Sequence, residues 1–505
     1  MGIGFEPAAP EERNVGIAFT ENASRLHAPA GIACSIDGAE LRSFASDGDT
    51  PQGHVPRAVL KPRSTDEILS LIRWANDSGT GVVPVSSTGR RRRGDTVPAR
   101  DNVVIADLSG MNRLLHADAR DKIAILEAGV DFGTVDDLLQ PHGLRALRPL
   151  SPRAGKSVLA SFLEREPPIN ANDHWDVADP FGGTLLVLGN GHCAPTGGAA
   201  IEGTLAEQLA RGHRQMMPIG PTNLDLLRVL QGAQGSLGLM AWAALYCERI
   251  PTMERGWFAS ADALEPVIDL ARELLHHRIG NALFIVDRVQ LALLLARDAA
   301  AFNALCGALP AWTLFVGLSA GRQAPEEKMA WQQADLRAGG ERHGVGLAES
   351  LAGHTATALG QRLRVAEPVS FRDRVSGAHR ELFFLQQLDR AAGFVPLVRD
   401  GLTKAGLGHL PLGVYIQPMA QGVYGHIEFT LPYDPDKADD AQRSAAAWQA
   451  AAERCADAGA FFSRPYGAWS DLAYRHDDGI RSMMALTKSI LDPAGVMNPN
   501  RLPYS

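Results

Sequence analysis

Cysteine is scarce in this chain: five in 505 residues, at Cys34, Cys193, Cys247, Cys306 and Cys455, with no Cys-x-x-Cys pair. An odd, scattered set supports neither a disulfide framework nor a zinc centre, and it fits a reducing compartment. Positive charge is in deficit as well. A net charge of −8 excludes nucleic acid as a partner, because a phosphate backbone demands a basic surface. No apolar run reaches membrane-spanning length, and Met1–Arg13 lacks the apolar core of a secretion signal. The expected location is the cytoplasm. Three catalytic signatures are also missing: there is no HExxH, no GxSxG and no Walker A sequence. Gly191-His192-Cys193 falls in a turn between strands, a poor setting for a Cys/His nucleophile pair. His276 and His277 end a helix, where they suit its dipole.

What remains is a globular composition, 45% hydrophobic and 21% charged, long enough for two or more domains. Residues 1–50 read as an irregular lead-in. From Val55 to Pro251 short strands and helices alternate: Ile123–Val130 and Leu185–Leu188 as strands, Thr134–Leu139 and Leu224–Leu230 as helices, then the turn Gly232–Gly238 and the strand Leu239–Cys247. From about 254 to 479 the rhythm changes. Helices at Ala261–His277, Gln290–Leu305 and Asp440–Ala458 are separated by strands such as Trp312–Leu318 and His426–Leu431, the pattern of a helix-flanked antiparallel sheet. The tail, 480–505, holds a helix at Met483–Leu491 and then Asp492-Pro493-x-Gly495 and Asn498-Pro499-Asn500-Arg501. The fold class is α+β, with a boundary near 253.

One stretch stands out. Val82-Val83-Pro84-Val85 runs into Ser86-Ser87-Thr88-Gly89-Arg90, and a second apolar strand, Val103–Leu108, follows. A Ser/Thr/Gly loop after a strand can converge N–H groups and hydroxyls on an anion, although such loops are also ordinary turns. The helix before it opens on Ser64-x-x-Glu67, which predicts a capping box with Ile68, Leu69, Ile72 and Ala75 facing inward. Arg90, Arg91, Arg92 and Arg93 form a basic block in an acidic chain. They suit either a solvated loop or an anion partner.

Taken in order, these landmarks resemble the vanillyl-alcohol oxidase / para-cresol methylhydroxylase family of FAD-binding proteins. The resemblance starts at Pro56-Arg57-Ala58-Val59-Leu60-x-Pro62 and runs through the Ser86–Arg90 loop, Val104–Arg113 and Ile125–Val130. It continues in Gly232-Ala233-Gln234-Gly235-Ser236-Leu237-Gly238 and ends in the DPxG…NPxxL tail. It implies an FAD-binding domain of two α+β subdomains over 51–253, a substrate domain over 254–479 on the antiparallel sheet, and a segment at 480–505 returning to the first domain. It also implies that Ser86, Ser87, Thr88, Gly89 and Arg90 hold the FAD pyrophosphate. Gly155, Ser157, Val158, Gly235, Ser236, Gly238, Asn498 and Arg501 would contact the rest of the cofactor. Many relatives carry a flavin-bonding histidine in the first loop. Here that neighbourhood is Arg90–Arg93, and the second glycine segment reads Arg153-Ala154-Gly155-Lys156-Ser157, so non-covalent FAD is expected. A covalent link from the second domain would fall to His409 or Tyr415.

For chemistry, the segment around Asp173-His174-Trp175 resembles the vanillyl-alcohol oxidase branch and implies Asp173 as an acid–base group near flavin N5; Asn170-Ala171-Asn172-Asp173 suits a turn equally well. Arg464 resembles a family arginine at the pyrimidine end of the flavin. Phenol-oxidising relatives have a tyrosine before that arginine and another after the first loop. This chain has Ser463 and Gly94-Asp95-Thr96 there, with Tyr466 available as one substitute. In Gly425-His426-Ile427-Glu428, His426 and Glu428 share one face of a strand, as site-lining groups or as ordinary sheet residues. The preceding Gln417–Gly422 lacks the histidine cluster of the hydroxy-acid branch, so no metal is expected. The resemblance implies hydride transfer to FAD from a small alcohol or para-substituted phenol or benzylic substrate. A 2-hydroxy acid dehydrogenase, with an anionic substrate, and a flavin-poor binding subunit are the alternatives. Homo-oligomers and an electron-acceptor protein are the implied partners.

Overall fold

The computed structural model describes residues 28–50, 52–173, 179–221, 225–475 and 477–504. The first sheet is mixed, with β1 (Ala33–Ser35), β2 (Val59–Lys61), β3 (Gly81–Val85) and β4 (Val103–Asp107) in the order β1-β2-β4-β3. β1 is antiparallel to β2, whereas the β2–β4 and β3–β4 pairs are parallel. The parallel step from β2 to β3 needs a crossover, and helix Thr65–Ser78 supplies it. Ser64 caps that helix by accepting the Glu67 N–H at 3.2 Å, and Gly79 ends it at φ 66°. The capping box is one-sided, because the Glu67 carboxylate accepts from Arg63 N–H and not from Ser64. Its buried face is Ile68, Leu71, Ile72 and Ala75, with Leu69 only half-buried.

Residues 28–50 are not an irregular lead-in. They carry β1 and the helix Gly38–Ser43, and their acids fasten the arginine loop. Asp47 Oδ2 accepts Gly94 N–H at 2.6 Å, and Asp49 Oδ2 accepts Arg93 N–H at 3.1 Å.

The second sheet contains β5 (Leu114–Asp118), β6 (Ile123–Glu127), β7 (Leu144–Ala146), β8 (Phe181–Leu188), β9 (Cys193–Thr196) and β10 (Gly238–Arg249). Its order is β5-β6-β10-β8-β9, with β7 pairing the far end of β10, and every pair is antiparallel. The third sheet begins with β11 (Met253–Ala261), β12 (Ala282–Asp287), β13 (Trp312–Ala320) and β14 (Gly346–Ala348). After a small hairpin, β15 (Ser350–Leu351) and β16 (His354–Thr355), it is completed by β17 (Ala378–Gln387), β18 (Gly413–Met419) and β19 (Tyr424–Tyr433). It is antiparallel throughout, in the order β14-β11-β13-β12-β18-β19-β17. Helices 264–276, 391–404 and 438–457 cover one face, burying Leu270, Leu274, Phe394, Val398 and Trp448 against Phe384, Val414 and Ile427. The helix read at Gln290–Leu305 is two helices, Arg288–Leu295 and Ala299–Ala308. Asp298 accepts the Ala301 N–H at 2.8 Å and caps the second, so the chain turns there.

The tail returns to the first sheet. Met497 bridges Val82 in parallel, with Val82 N–H to Val496 O and Asn498 N–H to Val82 O both at 2.8 Å. The otherwise bare edge of β3 is thereby covered just before its loop leaves. Asp492 fixes the approach by accepting Val496 and Met497 N–H groups and pairing with Lys488 at 2.5 Å. Among the described residues no helix is long and apolar enough to cross a membrane.

Candidate functional site

A cavity of about 380 Å³ lies between the loop after β3, the turn before β10 and the inner face of β17–β19. Its floor begins at Ser86 and Ser87. Two loops are stitched together there: Thr88 N–H donates to Gly155 O at 2.8 Å, Ser157 N–H donates to Ser87 Oγ at 3.0 Å, and Arg153 donates to Thr88 O. A Cβ on Gly155 would stand 2.4 Å from Thr88 Oγ1 and 2.9 Å from Thr88 O, so the close approach requires glycine. Gly235 (φ 70°) brings the second turn against Pro84, where a Cβ would meet the ring at 2.4 Å.

Of the residues expected at the cofactor, Ser86, Ser87, Arg90, Gly235 and Gly238 line the cavity. Thr88, Gly89 and Gly155 lie off the cavity wall: Thr88 and Gly155 join the two loops through their backbone, and Gly89 is exposed. Ser157 is a helix cap: its Oγ donates to Ala128 O at 2.6 Å and accepts Ala160 N–H at 3.1 Å. Val158 packs in the core of the second sheet. Ser236 is fully buried and bonded to Ala233 O and Tyr504 Oη. Asn498 braces the floor from below, donating to Asp95 O at 2.7 Å and Gln234 O at 2.6 Å. Arg501 stands beside Asp95 and Asp47, outside the cavity wall.

The arginine block is mostly committed to protein carboxylates. Arg93 pairs with Glu164 at 2.7 Å, Glu166 at 2.9 Å and Glu381 at 3.2 Å. Arg92 pairs with Asp373 at 2.6 Å and donates to His379 O at 2.8 Å. Arg91 lies over the Phe44 ring, 4.1 Å from its centroid, and donates to Ser43 O. Arg90, half-exposed, reaches Gly377 O at 2.8 Å and Asp373 at 3.7 Å. The block therefore ties the loop to the third sheet and leaves little of itself for an outside anion.

The roof is polar. In β19, His426 and Glu428 face the cavity with Nε2 and Oε2 3.4 Å apart. In β17, His379 bonds Glu381 at 3.1 Å through Nε2 and Asp373 at 2.7 Å through Nδ1. Register places Phe383 opposite Glu428 and Leu385 opposite His426, so the acids and histidines of two neighbouring strands share one face. Burial pushes the Glu428 carboxyl up, but Arg372, at 2.5 Å, and the His426 hydrogen bond together outweigh it and hold Glu428 below its ordinary range. Burial holds the His426 imidazole below its ordinary value, against the Glu428 hydrogen bond. Tyr415 Oη donates to Gln417 Oε1 at 2.9 Å, and burial raises that phenol well above its usual range.

Arg464, 3% exposed, enters from the segment after the helix 438–457. Its neighbours are pinned on both sides, Ser463 O by Arg165 at 3.0 Å and Pro465 O by Gln234 at 2.6 Å. Its guanidinium lies 4.1 Å from the Phe383 ring centroid and 3.8 Å from Glu166. Arg464 Nη1 and Tyr466 Oη are buried donors without a hydrogen-bond partner among the described residues. Asp173 ends the short turn Ala171–Asp173, and its side chain, like His174 and Trp175, lies outside the described residues. His409 is exposed in the turn before β18, away from the cavity wall.

Sequence reading missed Glu164, Glu166, Arg372, Asp373, His379 and Glu381. A signal existed: His379-x-Glu381 repeats the spacing of His426-x-Glu428, and each pair lies on an alternating strand.

Residues 56–161 match the family model described as an FAD binding domain. The fold is that of 4-ethylphenol oxidase from Gulosibacter chungangensis, at TM-score 0.76 and 16% identity over 96% of both chains. It is equally that of p-cresol methylhydroxylase, at TM-score 0.76 and 16% identity over 93% of both. D-2-hydroxyglutarate dehydrogenase of Stutzerimonas stutzeri is 21% identical over 43% of this chain and 42% of its own length. The chain thus spans about two fifths of that relative. The residues present fit FAD. Among the described residues eight Lys/Arg and six Asp/Glu side chains line the cavity; Arg91 and Arg153 have no carboxylate partner, a charge that a diphosphate would balance, and two buried donors lack a hydrogen-bond partner. The cofactor is FAD, which leaves no support for a flavin-poor binding subunit. The chain carries an FAD binding domain at residues 56–161 within the fold of the p-cresol methylhydroxylase-type flavoproteins.

Proposed function

We propose that this chain is an FAD-dependent oxidoreductase that oxidises a C–H bond next to a hydroxyl or an aromatic ring of a small molecule. One observation carries the reading: a single cavity joins the Ser86–Ser87 floor to a roof holding His426, Glu428 and the unpartnered donors of Arg464 and Tyr466. Bound FAD supplies the two-electron acceptor. In this reading 51–253 hold the cofactor non-covalently, 254–479 roof it, and 480–505 return to brace the floor.

His426 is the proton-accepting group. It stays neutral because burial disfavours its cation, and Glu428, held ionised by Arg372, stabilises the imidazolium that forms when the substrate proton arrives. The proton comes to rest on His426, with Glu428 on the Nε2 side. Arg464 keeps a desolvated positive charge against the ring-binding end, its Nη1 donor free to satisfy a carbonyl or nitrogen acceptor there. Asp173 stands as a second acid–base group on the vanillyl-alcohol oxidase resemblance. An Asp173→Asn variant with an unchanged rate removes it. The unpaired cysteines fit a cytoplasmic location.

The first test is the visible spectrum of the purified protein, followed by anaerobic mixing with phenols, benzylic alcohols and 2-hydroxy acids. Bleaching by one class assigns it. A protein that neither carries nor takes up FAD would refute the reading. A 2-hydroxy acid dehydrogenase is the second reading, favoured by the likeness to D-2-hydroxyglutarate dehydrogenase.

A further inference from the structure

Among the described residues, pairing off the charges of the cavity leaves two floor cations, Arg91 and Arg153, and one acid over. Arg93 serves three carboxylates, Arg372 serves Glu428 and Glu381, and Lys156 serves Glu164 at 2.5 Å. Asp95 lines the same cavity, yet among the described residues its carboxyl has neither a hydrogen-bond nor an ion-pair partner; only its backbone carbonyl is held, by Asn498. The charged groups around it come from every side: Glu164 and Lys156 from the segment 153–164, Arg93 and Arg91 from its own loop, Asp47 from the segment after β1, Arg501 from the tail, and Tyr466 from the Arg464 segment.

We propose that the substrate end of this cavity takes an uncharged, hydroxyl-bearing substrate whose hydroxyl meets Asp95, and that Asp95 turns carboxylate substrates away. This rests on the oxidoreductase reading above and decides between its two substrate classes. A carboxylate needs an unengaged cation when it leaves water. Arg91 and Arg153, which have no carboxylate partner among the described residues, belong to the floor that serves the diphosphate in this reading. Arg93 and Arg372 are engaged, and Arg464, which has a free donor, already shares its charge with Glu166 at 3.8 Å. An entering carboxylate would instead stand beside Asp95 and Glu164. A hydroxyl suits the acid in either state, donating to the carboxylate or accepting from the carboxylic acid. Burial, reinforced by Glu164, pushes Asp95 up to about 7, so the repulsion grows as pH rises through neutrality.

Benzyl alcohol and mandelate share a ring and a benzylic hydroxyl and differ by a carboxylate, which makes them the probes. Their binding to the FAD-loaded protein is read from the perturbation of the flavin spectrum. At pH 8 benzyl alcohol should bind about tenfold or more tightly than mandelate, the scale of one like-charge contact. Mandelate binding should tighten about tenfold from pH 8 to pH 6 as Asp95 takes up its proton. Asp95→Asn should abolish that pH dependence and shrink the discrimination to about threefold or less. Should the variant fail to fold, the wild-type pH series still decides. Tighter binding of mandelate at pH 8, a spectrum moved by neither probe, or unchanged discrimination in Asp95→Asn would overturn the proposal while leaving the oxidoreductase reading intact. A protein that cannot hold FAD would instead sink the reading beneath it.

Discussion

On the floor of the cavity the exposed groups come from contiguous chain, Ser86 to Arg93, with a second short segment at 153–160. On the roof they come from alternate positions of three strands, β17 and, after an intervening helix, the hairpin β18–β19: His379 and Glu381, Tyr415, His426 and Glu428. The floor is held by backbone hydrogen bonds between two loops and tolerates no Cβ at Gly155. The roof is held by a rigid sheet and positions side chains through register. The two are joined by charge, since Arg92 and Arg93 of the floor pair with Asp373 and Glu381 of the roof. In the proposed reading a floor of this kind holds the FAD diphosphate. A roof of this kind varies one side chain at a time and so sets the chemistry.

Breaking the joint should have the largest effect. Arg93→Ala leaves Glu164 and Glu166 with less compensation and Glu381 with only Arg372 and His379, and removing one partner of a buried pair costs about 3–5 kcal/mol. Thermal unfolding should show a large drop in Tm together with loss of FAD. Arg90→Ala, in the same block but half-exposed, should stay within about 1 kcal/mol of wild type by the same melt. Equal losses from the two variants would mean that the block acts only as a patch of charge.

Damage to the roof should spare the cofactor and remove the chemistry. His426→Gln should retain the flavin spectrum while the rate of anaerobic bleaching falls about 10²–10⁴-fold, the range for an acid–base group. Because burial holds His426 below its ordinary value, the proton-accepting form persists beneath pH 6.5. The wild-type rate should decline only at more acid pH, and the variant should lose that limb. Damage to the floor should do the reverse. Gly155→Ala forces Thr88 to move and should weaken FAD binding about tenfold or more in a fluorescence titration, with a smaller effect on the rate once the protein is saturated. The smallest effect belongs to His409→Ala. That residue is exposed and away from the cavity, so acid precipitation should give a colourless pellet and a yellow supernatant in variant and wild type alike.

The same contrast explains what could be read from the chain. The Ser86–Arg90 loop and the helix 65–78 were legible because their signals are local: a strand, a Ser/Gly run, a Ser64 cap. The two sheets after it were legible in outline because alternating strands declare themselves one at a time. The partners of the arginine block were not. Nothing near Arg93 announces Glu381, which is 288 positions away and reaches it only through the register of β17 on β19. Ser157, Val158 and Ser236 sat in the right motifs but act as a cap or as buried supports, a distinction that depends on which way a side chain turns. The lead-in misled because β1 is only three residues long and gains its stability from β2.

The central claim is that one cavity places FAD on the 86–90 floor beneath the His426–Glu428 roof. Its most direct test is anaerobic mixing of the FAD-loaded wild-type protein and His426→Gln with benzylic and aliphatic alcohols, followed at the flavin absorption bands. The account predicts bleaching by an alcohol in the wild type and a yellow variant that bleaches at least about a hundredfold more slowly. A wild-type protein that holds no FAD, or a variant that bleaches as fast as wild type, would contradict it.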